Sequence, residues 1–128
     1  MKRHNPYLYI DPSVLFNATG EDLDSFRALS HTFIVIAAPM FERLKAAILV
    51  GEFKAMSHEI HSLKGTTSLV GAVELTTKLV ELESLLLGDQ TCRLDHHLPE
   101  LWRLFSLVMQ DVRDSIVHFR GYPECGEN

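Results

Sequence analysis

Phe53-Lys54-Ala55-Met56-Ser57-His58-Glu59-Ile60-His61-Ser62-Leu63-Lys64-Gly65-Thr66-Thr67-Ser68-Leu69-Val70-Gly71 is the stretch that decides the fold. Within it Phe53, Met56, Ile60, Leu63, Thr67 and Val70 recur at alternating spacings of three and four, the period of an amphipathic helix with one face on a core. The other side carries Lys54, Ser57, His58, His61, Lys64, Gly65 and Ser68. His61, Lys64 and Gly65 stand at i, i+3 and i+4, so they share one surface of that helix. A glycine there costs about 0.5–1 kcal/mol relative to alanine and asks for a reason. Access to the imidazole of His61 supplies one. Gly71 is a natural terminator.

Helical periods continue on both sides. Residues 1–10 have no period and contain Pro6; they read as an arm, docked by Tyr7, Tyr9 and Ile10. Asp11-Pro12 reads as an N-cap followed by proline in the first turn of a short helix ending near Asn17. Thr19-Gly20-Glu21-Asp22 opens the next helix, with Leu23, Phe26, Leu29 (or Ser30) and Phe33 as its stripe. Pro39 is expected to kink or break it. The segment with Phe41, Leu44, Ile48 and Leu49 then stops at Gly51. Leu75, Leu79, Leu82 (with Val80) and Leu86 mark a helix closed by Gly88-Asp89. A polar loop with Arg93, Asp95, His96 and His97 precedes a last helix from about Pro99 to Arg120, lined by Leu101, Leu104 (with Phe105), Val108, Val112 and Ile116. Trp102 and Phe105 read as core. No strand-like alternation of useful length occurs. Long helices on short connections imply an all-α, antiparallel four-helix bundle with short additional N-terminal helices. The domain reads as 11–121, with an arm at 1–10 and a tail at 122–128.

Composition narrows the function classes. Forty-six per cent hydrophobic residues in a chain of 128 suit one domain with a real core. Lys and Arg total 12 against 17 Asp and Glu, which leaves no basic footprint for nucleic acid. Two cysteines, Cys92 and Cys125, make neither a disulfide framework nor a clustered metal site. The longest apolar run, Phe33 to Ala38, is far short of the ~20 residues of a membrane span. A soluble, cytoplasmic monomer that avoids membranes is the expectation, and Met1 with the frayed Pro-Glu-Cys-Gly-Glu-Asn end suggests a stand-alone module.

The chemistry open to the His61 face follows from its residue types. A histidine's ordinary pKa of about 6.5 leaves most imidazole neutral and nucleophilic at pH 7. An ammonium one turn on could hold phosphoryl oxygens as a point charge. Gly65 removes a side chain that would crowd the ring or a docking partner. No catalytic triad or carboxylate pair stands beside them, so the three suit a phosphoryl acceptor better than a self-sufficient active site.

His61-x-Leu63-Lys64-Gly65, followed by Gly71-Ala72, Leu75, Leu79 and Leu82-Glu83, resembles the histidine-containing phosphotransfer (HPt) domain. Asp11-Pro12, Gly20-Glu21-Asp22, Phe33, Pro39, Leu44 and Gly51 extend the resemblance over roughly residues 11–88. It implies a carrier in a two-component phosphorelay, with His61 phosphorylated from a receiver-domain aspartate and relaying the group to another. By the same resemblance Lys64 supports the phosphoryl group and Gly65 leaves room for the receiver. The partners implied are response-regulator receiver domains and hybrid sensor kinases. No cofactor is expected on this chain, Mg²⁺ belonging to the receiver, and no kinase activity; no Gly-rich nucleotide loop is found either. The docking face is expected around Lys54, Ser57, His58, Lys64 and Ser68, with apolar residues from an adjacent helix.

Three rival readings attach to the same residues. Phe53 to Ile60 resembles the H-box of sensor histidine kinases, which would phosphorylate His58, but the proline that continues an H-box is absent. His58 and His61 at i, i+3 could share a zinc ion with Glu59 nearby, although the zincin pattern needs i, i+4 and Glu59 points elsewhere. No metal site is assigned. A helical interaction module without chemistry would treat Gly65 as a product of close helix packing.

Overall fold

Asp11 and Pro12 start the first helix as their chemistry requires. The Asp11 carboxylate accepts from the Ser13 backbone N–H at 3.1 Å, and Pro12 sits where a missing N–H costs nothing. Asp22 repeats the device, accepting from the Ser25 N–H at 2.9 Å. The computed structural model describes residues 5–88 and 91–121, for 91–93 the backbone alone. In these, α1 is Pro12–Ala18, α2 Leu23–Val50, α3 Phe53–Leu69 and α4 Val73–Leu87; a 3-10 helix Thr91–His97 leads into α5, Leu98–His118. No strand occurs among the described residues. The expected tail 122–128, with Pro123 and Cys125, lies outside them, as do Asp89 and the side chains of Cys92 and Arg93.

Helices α2 to α5 close a four-helix bundle: α3 packs on α2 and α4, and α5 packs on the same two from the other side. Between them Phe26, Phe41, Leu44, Ile60, Leu63, Leu75, Leu79, Leu82, Leu101 and Leu104 are at most 2% exposed. Phe105 of α5 stacks on Phe41 of α2 with centroids 4.5 Å apart. At one end Phe16, Phe26 and Phe119 form an aromatic cluster that seats α1 against α2 and the end of α5. No helix is long and apolar enough to cross a membrane among the described residues.

Four expectations need correction. Pro39 does not break the helix: α2 runs unbroken for 28 residues, so one short N-terminal helix, not several, precedes the bundle. Pro39 and Val35, whose carbonyl loses its partner, are both exposed, so water can take that bond, while Phe33, Ala37, Phe41 and Leu44 are buried on the other side. Burial on both sides of the proline outweighs a local penalty of about 3 kcal/mol. The polar loop is a 3-10 helix anchored by Leu94, fully buried and without a periodic partner in the sequence. Trp102 is about half exposed, packing one side on Phe41 with the Lys45 ammonium 5.8 Å from its ring centroid. Leu49, Phe53 and Val80 face largely outward, as does Leu29, while Ser30, the other residue expected at that stripe position, is buried.

The described part of the arm is held at Tyr7 and Tyr9. Tyr7 donates its hydroxyl proton to Asp114 at 2.6 Å, and the Tyr9 N–H reaches Asp111 at 3.0 Å. The Tyr7 bond holds the Asp114 carboxyl below its usual range, whereas burial pushes Asp111 up. Farther on, the Asp11 N–H donates to the Val70 carbonyl at 3.1 Å, at the C-terminal end of α3. This approach runs directly over Gly71, where a Cβ would stand 2.8 Å from the Asp11 backbone oxygen and where φ is +68°. Gly71 is therefore the residue that lets the arm and α1 dock on the α3–α4 turn.

Gly71→Ala is expected to cost about 2–4 kcal/mol in thermal or urea unfolding, combining left-handed strain with a backbone clash. Gly20→Ala, with a similar φ of +70° but open space around it, is the control and should cost only about 1–2 kcal/mol. Equal losses at the two positions would remove the docking role of Gly71.

Candidate functional site: the outer face of α3

Helix α3 is tied to its neighbours along two flanks. Toward α2, Arg43 donates to Glu59 at 2.9 Å and the Thr66 hydroxyl lies 3.8 Å from the Met40 sulfur. Toward α4, Lys64 binds Glu83 at 2.7 Å and the hydroxyls of Thr67 and Thr76 share a hydrogen bond of 2.7 Å. These pairs set α2 and α4 antiparallel to α3. The remaining face looks outward.

That face holds the residues singled out in the sequence. Lys54, Ser57, His58, His61, Gly65 and Ser68 are all exposed, and Lys64 is part-buried beside them. Successive i, i+3 and i+4 steps place His58, His61, Lys64, Gly65 and Ser68 along one stripe, with Cβ atoms about 5–6 Å apart from turn to turn. The His61 ring makes no hydrogen bond or ion pair among the described residues. No general base or orienting carboxylate contacts the ring among the described residues.

Gly65 separates the functional reading from the packing one. A Cβ built on it would meet no atom within 4 Å. Close helix packing therefore does not explain the glycine. The turn around it is braced instead by side-chain hydroxyls: Thr66 donates to the Ser62 carbonyl at 2.8 Å, Thr67 to that of Lys64 at 3.4 Å and Ser68 to that of Gly65 at 2.8 Å. Such back-bonding is tolerated in helices and here surrounds their weakest helix former.

Two carboxylates near the face had no assigned role in the sequence. Glu59 is 7% exposed and spends one oxygen on Arg43; the other is buried with no hydrogen-bond partner among the described residues. Because Glu59 is committed to α2, it does not join His58 and His61, and no group of three metal-ligating side chains is found among the described residues. Glu83 neutralises Lys64, the cation expected to be available for a phosphoryl group. The two lie 19 residues apart on different helices, so no local pattern announces the pair.

The register also identifies apolar neighbours that the sequence left unnamed. Met40 and Arg43 face α3, and the same α2 stripe continues one turn back to Ile36, 41% exposed. Glu83 marks the corresponding stripe of α4, which includes Val80 at 44% and Leu87 at 82% exposure. Leu69, 55% exposed, continues the surface on α3 itself. An imidazole thus stands on a polar ridge between two partly apolar rims.

Comparison with known proteins agrees with this geometry. The Hpt domain family model matches residues 28–115, most of the chain, and the chain belongs to that family. It is a histidine phosphotransfer protein of phosphorelay signalling, a class that interacts with response-regulator receiver domains and kinases. Its structure is similar to the crystal structure of histidine-containing phosphotransfer protein B (HptB) from Pseudomonas aeruginosa PAO1, with a TM-score of 0.77 and 27% sequence identity over 88% of this chain and 97% of that one. No curated protein matches it in sequence at a significant level.

Because the fold makes no use of the missing side chain, Gly65→Ala should stabilise the isolated protein by about 0.5–1 kcal/mol while slowing phosphoryl transfer from a receiver domain. Thermal unfolding and transfer kinetics on one preparation check both halves. A variant that loses stability would assign Gly65 to the fold after all.

Proposed function

We propose that His61 is the residue of this chain that carries the phosphoryl group, taking it from an aspartyl phosphate on one receiver domain and giving it to another. The observation that carries the proposal is the pairing of an exposed imidazole with a glycine one turn away whose missing side chain no internal contact requires. An exposed histidine alone is common. A helix that forgoes about 0.5–1 kcal/mol of stability beside it, in a family of phosphotransfer domains, is specific.

The step is a reversible displacement at phosphorus. The lone pair of the unprotonated ring nitrogen of His61 forms the N–P bond as the P–O bond to the receiver's aspartate breaks. That oxygen leaves with its electron pair as a carboxylate, and the proton on the second ring nitrogen stays in place. Reversal toward a second receiver restores the neutral imidazole. Lys64 supports the phosphoryl oxygens, and Lys54, Ser57, His58 and Ser68 flank the approach. The apolar rims of Ile36 and Met40 and of Val80 and Leu87 supply area for a receiver to bury. The chain acts as a monomeric carrier without kinase activity of its own, in the cytoplasm where receivers reside. The divalent cation of the reaction belongs to the receiver's acidic pocket, and no cofactor is assigned to this chain.

His61→Gln should abolish acid-labile phosphate after incubation with a phosphorylated receiver while leaving helix content unchanged; His58→Gln should retain it. Loss in His58→Gln alone would move the site to the H-box histidine. Lys64→Ala should slow transfer about tenfold, the worth of one charge-assisted hydrogen bond. An unchanged rate would remove Lys64 from the phosphoryl site.

A further inference from the structure

We infer that Glu83 is a latch on Lys64: its carboxylate competes with the phosphoryl group for the same ammonium, and so biases the protein toward giving phosphate away rather than keeping it. The inference rests on His61 as the carrier and adds a residue to which no role has been given.

The geometry is direct. Lys64 Nζ and Glu83 Oε1 are 2.7 Å apart, with the two side chains 30% and 31% exposed. The pair is shielded from water more than an ordinary surface bridge but is open enough to part. Lys64 stands one helical turn from His61, within reach of a group attached to its ring. Its stem is long and its ammonium can turn from one acceptor to another without disturbing the backbone. The Glu83 contact is with a helix other than the one bearing His61, so breaking it leaves α3 intact; the Thr67–Thr76 bond and the buried Leu63, Leu75, Leu79 and Leu82 still hold α3 to α4.

The charges decide the direction of the effect. Before transfer, Lys64 is matched by Glu83 and the pair is neutral. After transfer, the phosphoryl oxygens bring negative charge beside Lys64, and every gain it makes there is a loss at Glu83. Part of the lysine's stabilisation of phosphohistidine is therefore cancelled by the broken bridge. For a carrier this is useful, because a phosphoryl group held too firmly is not passed on. Glu83 is thus a positioning residue that sets the transfer equilibrium through Lys64 and touches no reacting atom.

The test measures the equilibrium ratio of phospho-His61 to phospho-receiver, with acid-labile phosphate quantified on both proteins, for wild type, E83Q, E83A, K64A and the double variant K64A/E83Q. E83Q and E83A should shift the ratio toward phospho-His61 by about two- to fivefold, the equivalent of one exposed ion pair. The same E83Q change should have no effect in the K64A background, since the latch acts only through the lysine. An unchanged ratio in both E83Q and E83A would overturn the latch. So would a shift of the same size with and without Lys64, which would make Glu83 act by charge repulsion alone. Absence of acid-labile phosphate from wild-type His61 would instead overturn the carrier reading, and the latch with it.

Discussion

Helix α3 is held on two flanks and left open on the third, and the rest of the structure depends on that arrangement. Ile60 and Leu63 fix its inner side in the core, Arg43–Glu59 ties it to α2, and Lys64–Glu83 with Thr67–Thr76 ties it to α4. Contacts on both flanks fix the register of α3 and with it the direction in which its outward stripe faces. That matters for a transfer reaction between two proteins, where one attacking nitrogen must meet one phosphorus atom in line. On the proposed reading the bundle contributes rigidity and the partner the acidic pocket. Under that division of labour an exposed imidazole with no base or triad beside it among the described residues would be sufficient.

Stability and access oppose one another on that stripe. Glycine is the poorest helix former apart from proline, and Gly65 sits in mid-helix with open space beyond it. Nothing inside the molecule is improved by it. Around it the hydroxyls of Thr66, Thr67 and Ser68 donate back to the carbonyls of Ser62, Lys64 and Gly65, a pattern helices tolerate without gain. Gly71, six residues on, is the opposite case: its missing Cβ is filled by the backbone of Asp11. Two glycines in one motif thus differ: packing requires the absence of a side chain at Gly71 and does not at Gly65.

Much of this was legible before any coordinates. Spacings of three and four through Phe53–Val70 identified α3, its buried side and the stripe containing His61, because a helix in a bundle must alternate in this way. The caps Asp11 and Asp22 marked helix starts through local hydrogen bonding, which sequence reports well. What sequence could not report was tertiary. Pro39 signals a break locally, yet burial on both sides of it carries α2 through. Leu94 is one apolar residue in a polar run, and it is fully buried where the 3-10 helix packs on α2, α4 and α5. Glu83 and Arg43 acquire partners through packing alone, so the ion pairs that clamp α3, and the rims formed by Ile36, Met40, Val80 and Leu87, required the fold.

The central claim is that the outer face of α3 presents His61 as the phosphorylated atom's host. It is tested most directly by the ring nitrogens of the uniformly ¹⁵N-labelled wild-type protein, recorded by NMR before and after treatment with a phosphoramidate donor. Phosphorus coupling on a nitrogen of His61 alone, with amide changes concentrated between Ser57 and Ser68, is the result expected. Phosphorus coupling on His58, or on neither ring, would contradict it.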